Sequence, residues 1–313
     1  MASNAAPTVD DELVHEFAPL LRVYKSGRME RPLQAPPVEP GIDPSTGVES
    51  KDVDLGIYSA RLYLPTSTET TGAKLPVIVY IHGGGFVAES AKSPIYHRFL
   101  NDLTSACPAL GVSLDYRLAP EHPLPAAYED CLAALGWVLS AEDPWIAAHG
   151  DLSRVFLAGD SAGGNICHHL AIQPDVPRLK GAVLIHPWFW GSEAVGEERR
   201  DPAWRAHAVG LWMFACPGTT GSDDPRANPM AADAPGLEAL ACERVMVCTA
   251  ELDFLRWRGR AYSEAVTAAR GAGEQKVELL ETEGEGHVFY LFKPDCDKAK
   301  EMLDRIVAFV NAA

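Results

Sequence analysis

The chain has 313 residues, of which 47% are hydrophobic, so it can bury a large core and does not have the composition of a disordered chain. Acidic residues number 43 against 27 basic ones, for a formal net charge of −16, and no Lys or Arg cluster offsets this. Because so acidic a surface repels a phosphate backbone, we expect no nucleic acid partner.

Apolar runs and cysteines indicate the compartment. No uninterrupted apolar run approaches the roughly 18 residues that a membrane span requires, and the start has neither the basic nor the apolar segment of a secretory signal. The seven cysteines are scattered without a CxxC pair, which favours free thiols over a metal site or a disulfide framework. We therefore expect a cytoplasmic protein with no membrane partner and no metal; nothing here fixes the oligomeric state.

The first 75 residues show mixed local patterns. Apolar residues at helical spacing predict that residues 1–35 are mainly helical. The prolines of 32–47 predict a loop. Alternation over 53–64 predicts one strand, and the polar segment 66–72 predicts a turn.

The rest of the chain alternates between two patterns. Short apolar runs rich in β-branched residues occur at 76–82, 110–116, 154–159, 181–187, 244–250 and 276–281. Helical stretches occur between or after them, at about 95–106, 125–140, 163–172, 254–271 and 296–312. Such runs are typical of strands buried on both faces of a parallel sheet, and their alternation with helices predicts a doubly wound α/β fold. One such domain can contain the whole chain, 1–313.

One interval is too long for a single crossover. About 55 residues separate the runs at 181 and 244, and they are loop-like except for a predicted helix near 203–215. We interpret 188–232 as an insertion that caps one end of the sheet. Its charged segment 196–201 is predicted to be a solvated surface.

A candidate nucleophile follows the third apolar run. Gly159–Gly163 matches GxSxG, with an apolar strand directly before it and a plausible helix after it. On such a sharp turn the central serine is exposed at the carboxyl edge of the sheet, and only small neighbours fit. The helix N-terminus beneath it favours negative charge. The motif predicts Ser161 as the nucleophile.

A glycine-rich segment, His82-Gly83-Gly84-Gly85, follows the first apolar run. Amide N–H groups without side chains can approach an oxygen closely and stabilise the oxyanion of a tetrahedral intermediate. We predict Gly83 and Gly84 as donors, with Ala162, the residue after the nucleophile, as a third. No GK[ST] follows, so a phosphate-binding loop is excluded.

A nucleophilic serine needs a base and an orienting carboxylate, which in this arrangement follow it in the order acid, then histidine. His287 is the one histidine late enough to follow an acid at a strand end; His186 precedes any such acid. Asp253 is preferred as the acid because it stands clear of the strand, and Glu251 stays the alternative.

The combined motifs resemble those of plant carboxylesterases of the hormone-sensitive-lipase type. They are HGGGF, DYRLAPEHPLPAAYED, GDSAGGN, AELDF and GHVF, and the resemblance covers nearly the whole chain. It implies an α/β-hydrolase fold, with a mostly parallel central sheet and helices on both faces. It also implies the same triad and oxyanion hole, with a cap formed by 1–45 and 188–232.

The resemblance implies a serine carboxylesterase that needs no cofactor and whose partner is a small-molecule ester. Short-chain esters would be cleaved through an acyl-enzyme. Such proteins also include dehydratases or lyases of specialised metabolites, which use the same residues and stay an alternative. Hormone receptors of this type have lost the triad histidine, so the intact His287 argues against that role.

Weaker expectations concern the surroundings of the site. Arg117 and Glu121 are predicted to pair beside the oxyanion hole, and Asp160 could pair with Arg117. An apolar substrate pocket could be lined by Phe86, Trp188, Trp190, Phe214 and Tyr290.

Overall fold

A computed structural model describes residues 11–66, 74–271 and 277–312. The strands are β1 (Leu13–Phe17), β2 (Leu21–Tyr24), β3 (Met29–Glu30), β4 (Val48–Asp54), β5 (Ser59–Pro65), β6 (Leu75–Ile81), β7 (Leu110–Asp115), β8 (Gly150–Asp160), β9 (Leu179–Ile185), β10 (Cys242–Ala250) and β11 (Val277–Thr282). The helices are α1 (Pro94–Ala106), α2 (Ala126–Leu139), α3 (Pro144–His149), α4 (Ala162–Ala171), α5 (Pro202–Ala215), α6 (Arg256–Arg270), α7 (Phe289–Phe292) and α8 (Asp297–Asn311), besides a 3₁₀ turn at Leu237–Ala239.

Eight strands form the central sheet in the order β11-β10-β9-β8-β6-β7-β5-β4. Strand β5 runs antiparallel to both of its neighbours, and the other pairs are parallel. The predicted α/β fold is confirmed, and each of the six apolar runs corresponds to a parallel strand. All residues of β6 are buried.

Helices cover both faces of this sheet, which explains why inner strands such as β6 are apolar and buried along their whole length. Val77 and Val79 of β6 belong to the core shared with α2, α4 and α6. Ile78 and Tyr80 point the other way, into the core shared with α1 and α8. Because parallel strands end at the same edge, the loops after β6, β8, β9, β10 and β11 are brought together there.

The prediction of a mainly helical segment at 1–35 is wrong for its described part, from residue 11 onward. Here β1, β2 and β3 form a small antiparallel sheet. Residues four apart share a strand face as well as a helix face, so the spacing of Leu13 and Phe17 fits both. Leu21 is the antiparallel partner of Phe17 on β2. Tertiary packing decides between helix and strand here: the centroid of the Phe17 ring lies 5.0 Å from the centroid of the Phe214 ring on α5.

The single strand predicted over 53–64 is also wrong. The structure has the antiparallel pair β4 and β5, joined by a turn in which Asp54 Oδ1 accepts a hydrogen bond from the Gly56 N–H at 2.8 Å. Gly56 has a φ of +94°, which suits glycine. The turn predicted at 66–72 lies outside the described residues except for Thr66.

The segment between β9 and β10 contains α5, the predicted helix of the insertion. Its charged stretch 196–201 is not wholly a solvated surface, because Glu198 is buried. The Glu198 carboxylate accepts hydrogen bonds from Arg258 at 2.6 Å and from Arg205 at 3.0 Å. This ion cluster ties the insertion to α6. Within the described ranges, no helix combines the length and the apolar character that crossing a membrane requires.

Candidate active site

Ser161 occupies the sharp turn between β8 and α4. Its backbone is held at a φ of +51° and a ψ of −116°, and its N–H donates to the Ile185 carbonyl at 2.9 Å. The glycines on either side are required by space: a Cβ on Gly159 would contact the Gly163 backbone, and one on Gly163 would clash with the Ile81 carbonyl. The turn therefore presents the serine hydroxyl at the carboxyl edge of the sheet.

The structure brings Ser161, His287 and Asp253 into one hydrogen-bonded chain. His287 Nε2 lies 3.0 Å from Ser161 Oγ, and His287 Nδ1 lies 2.7 Å from Asp253 Oδ2. The other oxygen of Asp253 accepts the Leu255 N–H at 2.9 Å, which fixes the carboxylate. Glu251, the alternative acid, instead accepts the Gly284 N–H and has no hydrogen bond with His287.

Electrostatics support an aspartate–imidazole pair in which the imidazole readily accepts a proton. Burial alone would lower the pKa of His287, but the charge and hydrogen bond of Asp253 raise it above its usual value. Burial alone would raise the pKa of Asp253, but His287 lowers it. Asp253 is thus ionised and can stabilise an imidazolium.

The donors beside Ser161 differ in part from those predicted. The Gly83 N–H already donates to Tyr96 Oη at 2.9 Å and to Asp160 Oδ1 at 3.1 Å, so it is not free to bind an oxyanion. Gly84, Gly85 and Ala162 have N–H groups without a hydrogen-bond partner in the described part of the chain. The geometry therefore replaces Gly83 by Gly85 and retains Gly84 and Ala162.

A cavity of about 540 Å³ opens over these groups. Ser161, His287, Gly84 and Gly85 form its floor. Its walls come from β1 and the turn after it, from the loops after β3 and β10, from α5 and from α7. Their side chains are mainly apolar: Phe17, Leu20, Leu33, Trp204, Ala208, Leu211, Phe254, Leu291 and Phe292. The cavity thus joins the N-terminal segment and the insertion above the sheet edge.

Of the five predicted pocket residues, Trp188 lines this cavity and the others do not. Phe86 packs edge-on against Trp188 from within the core, and Phe214 packs against the β1 segment. The Trp190 ring lies behind the wall residues Trp204 and Phe254. The buried Tyr290 hydroxyl instead contacts that of Tyr80 at 3.0 Å.

A family model described as the alpha/beta hydrolase fold matches residues 78–291, which include the glycine loop, the serine turn and the histidine. The chain belongs to the α/β-hydrolase fold family. The predicted resemblance to plant carboxylesterases of the hormone-sensitive-lipase type is confirmed by its relatives.

Two plant proteins are similar in sequence to nearly the whole of this α/β hydrolase. Tuliposide A-converting enzyme 1 of Tulipa gesneriana is 45% identical, over 98% of this chain and 81% of that protein. Probable carboxylesterase 2 of Arabidopsis thaliana is 44% identical, over 95% of this chain and 96% of that protein. The family of this chain therefore includes both carboxylesterases and tuliposide-converting enzymes.

Solved structures of esterases have the same fold. A thermostable carboxylesterase from a metagenomic library superposes with a TM-score of 0.70, at 29% identity over 88% of this chain and 90% of that one. A Pyrobaculum calidifontis esterase gives 0.69 at 30% identity, over 88% and 87%. The predicted α/β-hydrolase fold is confirmed.

The carboxyl group beside the nucleophile supports the glycine loop of this α/β hydrolase. Asp160 accepts hydrogen bonds from Tyr80 at 2.8 Å and from Tyr96 at 2.9 Å, as well as from the Gly83 N–H. Burial raises its pKa to about 6, although these bonds oppose the rise. Gly83 is therefore a structural anchor that holds the next two amides in place.

The predicted pairings of Arg117 are wrong. Arg117 forms a two-pronged ion pair with the buried Asp130, at 2.7 and 2.9 Å, and does not contact Asp160. Glu121 instead pairs with Arg31 at 2.6 Å. Since Arg31 also donates to the Val87 carbonyl, it fastens the N-terminal segment to the chain that follows the glycine loop.

His186 is a neighbour of the triad that sequence reasoning placed near the pocket. Its Nδ1 accepts the Val288 N–H at 2.8 Å, and burial lowers its pKa to about 3. With His287 and Asp253 it forms the cluster of potential metal ligands in the described residues, but both partners are already engaged in the triad. His186 is therefore neutral and positions the loop that carries His287.

The cap residues of the cavity are what sequence reasoning missed. Leu20 and Leu211 come from segments far apart in the chain, yet a Cβ on Gly85 would meet both. The apolar pattern of each segment signals burial but not the surface it packs against. The triad residues could be predicted because each follows a strand in a short motif. The cap segments contain no motif of this kind, so their place over the cavity could not be predicted.

Proposed function

We propose that this protein is a serine carboxylesterase that cleaves small esters. The observation that carries the proposal is the unbroken chain of hydrogen bonds from Asp253 through His287 to Ser161, which opens into a cavity beside free backbone amides. No other titratable group is required for the reaction.

Each step follows from this geometry. His287 Nε2 takes the proton of Ser161 as its oxygen attacks the ester carbonyl carbon. The carbonyl oxygen becomes an oxyanion that accepts hydrogen bonds from Gly84, Gly85 and Ala162. His287 then gives the proton to the departing alcohol, and water activated by the same imidazole opens the acyl-enzyme.

The cavity supports small, uncharged substrates. Its lining is mostly apolar, and at about 540 Å³ it is of the size of small-molecule sites. Removal of the ester from water strengthens each hydrogen bond to the oxyanion.

We also propose a reducing compartment such as the cytoplasm, because all seven cysteines are free and six of them are buried.

The plant relatives favour a second candidate. The relative named tuliposide A-converting enzyme 1 is 45% identical to this chain, and the relative named probable carboxylesterase 2 is 44% identical, so neither name is favoured by similarity. In this candidate the same imidazole serves a conversion of a plant metabolite that does not end in attack by water. A purely ligand-binding role is less favoured, because it requires no such triad.

One experiment separates these candidates. The purified protein is given simple esters, hydroxylated esters and hydroxylated flavonoid-like compounds in ¹⁸O-labelled water, and the products are analysed by mass spectrometry. Hydrolysis places one labelled oxygen in the acid, whereas elimination or internal transfer places none. Ser161→Ala should lose turnover by about 10⁴-fold or more with native circular dichroism. Activity within tenfold of the wild type would refute Ser161 as the nucleophile.

A further inference from the structure

The cavity contains a buried carboxyl group that the proposed reaction does not use. Glu89 lines the same cavity as Ser161, although the residue is only 6% exposed. Its Oε2 and the Oγ of the neighbouring Ser93 are both buried and have no hydrogen-bond partner in the described part of the chain. A buried polar atom without a partner costs free energy, so its presence in a binding cavity points to a ligand group that would satisfy it.

The backbone holds this carboxyl group beside the oxyanion site. Glu89 has a φ of +72°, which is uncommon for a residue with a side chain. The Glu89 Cβ also lies so close to Gly84 that a Cβ there would be 3.1 Å from it. Strained backbone that the surrounding structure maintains is concentrated at functional sites. Glu89 is thus held next to the glycine loop, whose amides would bind the ester carbonyl oxygen.

Glu89 forms no salt bridge with a described residue, unlike the buried Glu198 with its two arginines. Burial raises its pKa, and the neighbouring Ser93 hydroxyl opposes this effect. A ligand at this position therefore meets a carboxyl group that can be ionised or neutral.

We infer that Glu89 recognises a hydroxyl group on the ester substrate, close to its carbonyl. A hydroxyl donates to a carboxylate and can also accept from a carboxylic acid, so it satisfies Glu89 in either state. An ammonium group fits only the ionised state and loses its hydration in a mostly apolar cavity. This inference rests on the proposed function and names its substrate class: hydroxylated esters.

The test compares esters that differ in one group. On the acyl side, the reference is methyl butanoate, and it is compared with methyl β-hydroxybutanoate and methyl β-aminobutanoate. On the alcohol side, propyl butanoate is compared with hydroxyethyl butanoate. The wild type should prefer the hydroxylated member of at least one pair. Glu89→Leu should reduce that preference by roughly tenfold to a hundredfold, because the hydroxyl loses its partner. Glu89→Gln is the matched control, since its amide still bonds a hydroxyl and should retain most of the preference.

Binding separates this inference from the proposed function. The Ser161→Ala protein, which cannot turn esters over, is titrated with the same esters, with and without Glu89→Leu. A fall in affinity confined to the hydroxylated ester supports the inference even if the wild type hydrolyses nothing. Equal effects on both members of each pair would overturn it. A larger loss for the amino ester in both Glu89 variants would also overturn it, in favour of a cationic substrate. Thermal melting checks that each variant is folded.

Discussion

The carboxyl edge of the sheet and the cap above it form the two halves of one cavity, but they are built differently. At the edge, short loops after β6, β8, β10 and β11 place each group within a few residues of a strand end. The cap is assembled from the β1–β2 turn and α5, which are almost 200 residues apart in the chain. The edge therefore determines the chemistry, and we expect the cap to determine which esters reach it.

Asp253→Asn tests the edge with the largest expected effect. An amide cannot hold the imidazole in the required tautomer, so kcat should fall by about 10⁴-fold while the fold is retained. Glu251→Gln is the matched control, because Glu251 follows the same strand but bonds only the Gly284 N–H. Steady-state kinetics on one small ester measure both. A larger loss in Glu251→Gln than in Asp253→Asn would contradict the assignment of the acid.

Gly85→Ala tests the junction between edge and cap. Gly85 has a φ of +62°, and a Cβ there would lie 2.5 Å from Leu211 Cδ2 and 2.9 Å from Leu20 Cδ1. We expect kcat/KM to fall by about 10²–10³-fold for every ester, because one oxyanion donor is displaced. The double variant with Leu211→Ala should recover part of this loss. An activity within threefold of the wild type would show that the added Cβ is accommodated without displacing the Gly85 N–H, and would contradict the tight junction between edge and cap.

The pH profile tests which histidine is the base. His287 must be neutral to accept the serine proton, and its pKa is raised above the usual 6.5. The kcat/KM of the free enzyme should therefore rise with pH through one ionisation above 6.5, and fall about tenfold per unit below it. A rise centred near 3 would instead match His186, whose pKa burial lowers to that value.

Leu211→Ala tests the cap with the smallest expected effect. Because Leu211 lines the cavity and has no group that takes part in the proposed reaction, its loss should change the preference among acyl or alcohol groups by about threefold to tenfold. Phe214→Ala is the comparison, since that ring packs against β1 outside the cavity. Rates across a series of ester chain lengths measure both. A uniform change for every chain length would show that Leu211 only supports the fold.

The same contrast explains what could be predicted from the sequence. Ser161, Asp253 and His287 follow the parallel strands β8, β10 and β11 in an order that the fold requires, so short motifs locate them. The error at Gly83 arose because the sequence does not show that Asp160 and Tyr96 occupy its N–H. The β1–β3 sheet and the pocket walls depend on contacts between distant segments, which local spacing cannot specify.

The central claim is that Ser161 is a nucleophile activated by His287. A phosphonate ester reacts with such a serine and stays attached to it. Intact-protein mass spectrometry of the labelled wild type should show one adduct, and peptide mapping should place it on Ser161. Labelling should be slowed by orders of magnitude in His287→Ala. No adduct, an adduct on another residue, or equally fast labelling of His287→Ala would contradict the claim.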